Sequence, residues 1–222
     1  MMKPLLTAFA FTGLFYSHCF AQANSPDGRK HYPIKSCRIV FRFFNGPQRG
    51  TKTINFDDWG NKEKEVVETM TDTTAMRKAM AGVADSLRNH GTPAFPDNLQ
   101  FAPVQHNLKI TVEGQSYSMD LDRHLGVKSP ARLLFGGSFE ENFKQMGFAF
   151  VRTDTLLGRP CGVWERPQSF RLWVWKGFYV VKKQLVANMP PGMRVEEYAT
   201  EIDESYSIKP DEFKIPDNIQ FQ

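Results

Sequence analysis

The feature that most constrains this chain is a period-two alternation that recurs in short runs from residue 36 onward. In "SCRIVFRFF", Cys37, Ile39, Phe41 and Phe43 share one face, and Arg38, Val40 and Arg42 share the other. That is the pattern of a strand with one strongly buried side. "GTKTINFDDWGNKEKEVVETM" reads as a hairpin, with Ile54 and Phe56 alternating with polar residues, Asp57 to Asn61 turning, and Glu63 to Met70 returning. "NLKITVEG" and "QSYSMDLD" form a second pair around Glu113-Gly114-Gln115, followed by "FAFVRTDT", "CGVWERP", "FRLWVWKG", "YVVKKQLVA" and "VEEYATEID". Parallel crossovers need a dozen or more connecting residues, so strands this closely spaced form an antiparallel meander.

Two segments interrupt the alternation. "TDTTAMRKAMAGVADSLRNHG" carries Met76, Met80, Val83, Ala84 and Leu87 at helical spacing, after Thr and Asp capping candidates and before Gly91. "GGSFEENFKQMG" places Glu141 three residues after Ser138, a capping-box spacing, with Phe139, Phe143 and Met146 on one face and Gly147 as the stop. The predicted fold class is therefore α+β, mainly β: a curved antiparallel sheet with helices covering its concave face.

The first 23 residues read as a secretory signal peptide: Lys3 precedes an apolar run, and Ala21-Gln22-Ala23 supplies the cleavage signal. A lipoprotein signal would need a small residue before Cys19, where this chain has His18, so lipid anchoring at Cys19 is not expected. The expected organisation is a signal peptide over 1–23, a flexible mature N-terminus over 24–35, and one domain over 36–222. The expected location is periplasmic or secreted.

Several functions are set aside by composition and spacing. The chain has 28 Lys and Arg against 24 Asp and Glu. Removing Lys3 with the signal leaves 27 against 24, a balance too even for a nucleic-acid-binding surface. His31, His90, His106 and His124 are scattered, with no zinc spacing, so neither metal nor cofactor is expected. "FDDWGNKE" lacks the ligand pattern of a calcium loop and reads as a turn. Ser138 has no nucleophile elbow around it, and helix capping accounts for it, so no catalytic residue is assigned.

The mature chain keeps two cysteines, Cys37 and Cys161. In an oxidising compartment such a pair usually bonds, tying an early strand to a late one at about 4 kcal/mol; the alternative is two buried free thiols. In "FRLWVWKGFYV", Phe170, Leu172 and Val174 alternate with Arg171, Trp173 and Trp175, so both faces carry apolar bulk. That suits a strand covered on both sides.

Taken in order, "GTKTINFDDWGNKE", "LGRPCGVWE", "RLWVWKGFYV", "EEYATEID" and the closing "SIKPDEFKIPDNIQF" resemble exported, poorly characterised members of the outer-membrane lipoprotein-sorting carrier superfamily, the LolA-like and LolB-like proteins. The resemblance runs from about Cys37 to the end. It implies an incomplete antiparallel β-barrel whose apolar concave face is covered by helices, enclosing a cavity for acyl chains. It also favours a soluble periplasmic carrier over a tethered acceptor. The expected function is a non-catalytic carrier for a lipid, a lipoprotein acyl chain or a similar hydrophobic ligand, with Phe41, Phe43, Ile54, Phe56, Phe139, Phe143, Met146 and Trp173 as the lining. The alternative is an envelope structural or protein-interaction module without a ligand. Expected partners are a hydrophobic small molecule or lipid, envelope proteins, or the membrane surface.

Overall fold

The computed structural model describes residues 32–78, 80–81, 102–131, 139–185 and 194–222. The expected signal peptide, Cys19, His31, His90, Val83, Ala84, Leu87 and Ser138 lie outside these residues. The described strands are β1 (Cys37–Asn45), β2 (Gln48–Asp57), β3 (Lys62–Thr71), β4 (Val104–Val112), β5 (Gln115–Asp120), β6 (Leu125–Pro130), β7 (Ala149–Leu156), β8 (Arg159–Arg166), β9 (Phe170–Trp175), β10 (Phe178–Gln184), β11 (Val195–Asp203) and β12 (Gln220–Phe221). Helix α1 is described over residues 73–78, and α2 spans Phe139–Gln145.

The strands form one open sheet in the order β12-β6-β5-β4-β3-β2-β1-β11-β10-β9-β8-β7. Neighbours are antiparallel except β12, which runs parallel to β6. Two meanders therefore meet at one seam. The chain runs outward from β1 to β6, crosses to the far edge at β7, and returns strand by strand until β11 pairs with β1.

Local chemistry explains the tight returns. Three two-residue turns, Glu113-Gly114, Leu157-Gly158 and Lys176-Gly177, hold both residues at positive φ. This primed-turn geometry matches the right-handed twist of the flanking strands, and glycine at the second position removes half of its steric cost. Asp72 caps α1, its carboxylate accepting from the amides of Thr74 and Ala75 at 3.1 and 2.9 Å. Gly147, at φ +80°, ends the α2 turn as expected.

The sheet is strongly curved. Phe56 on β2 and Phe178 on β10 lie three strand spacings apart, about 14 Å in a flat sheet, yet their rings stack at 5.0 Å between centroids. Tyr32 fills the space between them, its ring 4.5 Å from Phe56 and 4.2 Å from Phe178. Its hydroxyl donates to Glu63 Oε2 at 2.6 Å. Tyr32 is thus packed into the core, although it falls in the 24–35 segment expected to be flexible.

Three apolar clusters hold the fold. The largest joins Cys37, Ile39, Phe41, Ile54 and Phe56 of β1 and β2 to Cys161, Trp175, Phe178 and Val180 of the returning meander. A second packs Phe143 of α2, and Phe148 beyond it, on Trp164, Leu172, Val174 and Tyr179. A third sets Ile219, Phe213 and Ile215 of the C-terminal segment against Leu108, Ile110 and Met119 of β4 and β5. The expected cover of helices along the concave face is not seen among the described residues. Helix α2 covers one patch of β8 to β10, and the apolar side of β4 and β5 is closed by the C-terminal segment.

Candidate functional site

Two departures from regular pairing position the site. The β1–β11 register shifts between Val40 and Phe41, and the β10–β9 register shifts between Tyr179 and Val181. Bulges bend a strand and re-aim its side chains. Here they bring the first two clusters together: Tyr179 packs with the α2 cluster, while its ring also lies 6.2 Å from that of Phe41 in the largest cluster.

Lys52 occupies this junction. It shares the strand face of Ile54 and Phe56, opposite Phe41 across the β1–β2 pair, and is 3% exposed. A buried ammonium has to be compensated by partners. Lys52 Nζ pairs with Glu197, donates to the Tyr179 hydroxyl at 3.1 Å, and lies 4.4 Å from the centroid of the Phe41 ring. Around it stand Glu65, paired in register with Ile54, and Lys182, paired in register with both Glu197 and Leu172. Burial pushes the Glu65 carboxyl up, opposed by the charge of Lys52. Burial pulls the Lys182 ammonium down, with Glu197 opposing and Lys52 adding to the shift. The arrangement is an ionic network, with Lys52 buried at its centre, set into aromatic and aliphatic surroundings.

The expected lining residues are divided by the structure. Phe41, Ile54 and Phe56 sit in the largest cluster at 1% exposure or less, and half-buried Trp173 packs against it. Phe143, fully buried, and Met146, half-buried, belong to the α2 cluster. Phe43 is half-buried on the Phe41 face, above Gly50, where an added Cβ would lie 2.7 Å from its ring. Phe139 opens α2, and its side chain lies outside the described residues.

Trp173 and Trp175 face the largest cluster, while Phe170, Leu172 and Val174 face α2. The Trp173 indole donates to Asp154 Oδ2 at 3.0 Å and, with other hydrogen bonds, holds that carboxyl below its usual range.

Cys37 and Cys161 share one cluster but are free thiols, so the expected bridge is not formed. Strands β1 and β8 are separated by β11, β10 and β9, and each Sγ turns to a local carbonyl, of Arg38 and Arg159 respectively. Burial, with Glu204 adding, pushes the Cys37 thiol up to about 12, and burial also raises Cys161. Both are poor nucleophiles in this setting.

Among the described residues, no group of three His, Cys, Asp or Glu is placed to hold a metal. His106 pairs with Asp122 on the surface at 2.9 Å, and His124 with Asn218. Asp58 and Trp59 take positive φ in the short turn after β2, as turn chemistry requires. No described helix is long and apolar enough to cross a membrane.

The sequence reading did not single out Lys52, Glu65, Lys182 or Glu197. One signal was present: Lys52 has the same parity in β2 as Ile54 and Phe56, so a charge stands on an otherwise apolar face.

No family model matches the chain, and no curated protein matches it. Solved structures similar to it include an uncharacterized conserved protein from Thermus thermophilus, at 8% identity and a TM-score of 0.46, covering 86% of this chain and 91% of that one. Another is MucB, solved in complex with MucA(peri), at 13% identity and a TM-score of 0.43. That match covers 83% of this chain and spans 56% of the MucB chain. Likenesses this distant carry no argument about fold or function.

Proposed function

We propose that this protein is an exported, non-catalytic binding protein of the cell envelope, carrying a lipid, a lipoprotein acyl chain or a similar hydrophobic molecule. The observation that carries this reading is the junction at Lys52. There an open curved sheet sets half-buried Phe43, and the rings of Phe41 and Tyr179, beside an ionic network with Lys52 buried at its centre. Acyl chains are recognised by burial, at about 0.8 kcal/mol per methylene. A polar end is recognised by groups already withdrawn from water, as Lys52 and its partners are. The resemblance to the lipoprotein-sorting carriers and the signal-like N-terminus support the same reading.

The test is to purify the protein from its native envelope, extract it with organic solvent, and analyse the extract by mass spectrometry. The expected result is a lipid in stoichiometric amount. A protein that carries none, and takes none up from phospholipid vesicles, overturns the reading.

A second reading, an interaction module without a ligand, is favoured by the complete burial of Phe41, Ile54, Phe56 and Phe143, whose surfaces are already used in packing. Affinity capture from envelope extracts separates the two readings: a stoichiometric protein partner with no lipid supports the second.

A further inference from the structure

Among the described residues the sheet has two margins, and they are finished differently. At one margin, β12 lies along the start of β6, with the Gln220 amide donating to His124 O and the Gln222 amide donating to Gly126 O. The rest of β6 is short and carries Lys128 and Pro130. A short strand with a lysine and a proline resists pairing with another chain.

The other margin is β7, eight residues long, with exposed residues along nearly all of its length. Its apolar side chains are exposed as well: Phe150 at 54%, Val151 at 49%, and Leu157 in the following turn at 43%. Among the described residues, only β8 pairs with it. An edge this long, exposed and apolar is a template for a further strand.

The sequence of β7 specifies which strand. An antiparallel copy of "AFVRTDTL" centred on Thr153 sets Arg152 opposite Asp154 of the second copy, and Asp154 opposite Arg152. Directly opposed residues of opposite charge stabilise a strand pair. Arg152 and Asp154 are 50% and 39% exposed and pair with each other along the strand at 3.2 Å, with Asp154 also accepting from the Trp173 indole, so in a second copy these charges would extend an existing network. The β7–β8 register shifts between Phe150 and Arg152, and this bulge at Val151 limits the regular pairing of two copies to the residues around Thr153.

We propose that β7 is a self-association edge at which two copies of this chain pair antiparallel about Thr153, joining their sheets into one. The contact is isologous, so it closes at a dimer and leaves the β6 margins at the outer ends. It does not depend on ligand binding.

Sedimentation velocity of the purified protein over a wide concentration range, with hydrogen exchange at each end of that range, tests the pairing. The expected result is a reversible monomer–dimer equilibrium in which β7 amides around Thr153 become protected as dimer accumulates. Arg152→Asp, an exposed substitution, sets like charges opposite each other twice and is expected to weaken association at least tenfold while leaving thermal unfolding of the monomer unchanged. A protein that stays monomeric at every concentration overturns the proposal. So does an Arg152→Asp variant that associates as tightly as the original, or protection that appears elsewhere and not in β7.

Discussion

The two wings of the sheet solve the same burial problem in opposite ways. In the returning wing, β9 is apolar on both faces: Leu172 and Val174 pack on α2, and Trp173 and Trp175 pack toward β1 and β2. In the outgoing wing, β4 and β5 are apolar on one face only. Leu108, Ile110 and Met119 pack under the C-terminal segment, while Lys109, Thr111 and Ser118 lie on the opposite side. A strand covered on both sides contributes to two clusters at once, whereas one covered on a single side depends on whatever lies over it. The returning wing is therefore rigid by its own packing, and the outgoing wing by the attachment of its tail.

Truncation in the core tests that contrast most strongly. Phe178→Ala removes a fully buried ring that touches Tyr32, Phe56 and Trp175. It is expected to cost about 3–5 kcal/mol in urea unfolding, since such truncations leave cavities the surroundings fill only in part. Met119→Ala, beneath the C-terminal segment, is expected to cost about 2–3 kcal/mol, because a cover that can shift collapses more readily onto the gap. Equal costs in the two wings would erase the distinction.

Lys52 tests the junction between the wings. Lys52→Met removes the most buried cation beside Glu197, with Lys182 remaining on the neighbouring strand, and is expected to cost about 3 kcal/mol, whereas Lys52→Met with Glu197→Leu is expected to recover most of that loss. A double variant no better than the single would mean that the ionic network itself, and not the uncompensated charge, holds β2 to β11.

The smallest expected effect concerns the tail. Glu212 is buried, which raises its carboxyl, but hydrogen bonds from Asn55 at 2.9 Å, Lys64 at 3.0 Å and Tyr206 at 3.2 Å outweigh burial and hold it below its ordinary value. A depressed folded-state value means that its contribution is present above the ordinary carboxylate range and is lost as pH falls through the folded value. Acid titration should release the C-terminal segment before the returning wing, seen as early loss of amide protection in β4 and β5. Glu212→Gln should flatten that acid limb and leave the stability of the returning wing unaltered.

Much of this architecture is legible in the alternation. Strands such as β1, β2, β4 and β9 follow runs in which apolar residues recur at every second position, whereas β3 and β7 are legible chiefly from the turns that bound them. The split faces of "FRLWVW" are the faces observed. Strand β6 is not legible, because "LGVKSP" carries few apolar residues and those it has are exposed; it pairs because β5 presents an edge. Strand β12 is two residues long and has no period to read. The role of the C-terminal segment rests on contacts between Ile219 or Phe213 and strands far earlier in the chain, and alternation within a segment says nothing about its remote partner. The same limit hid the site: Lys52 and Glu197 are distant in the chain, and only the curvature that brings β2 toward β10 makes their meeting necessary.

The seam between β1 and β11 has a consequence for how the molecule is made. Arg38 pairs with Asp203, so the middle of the sheet waits for nearly the whole chain, while every other antiparallel pair joins strands consecutive in the chain. Pairing between remote segments is slow because a long loop must be closed before any contact rewards it. During synthesis, the outgoing hairpins can assemble early, with the flank of β1 bare until the last part of the polypeptide emerges. A helper that binds unpaired strands would have its longest opportunity there, and the time for which that flank stays open is set by the rate at which the C-terminal third is delivered.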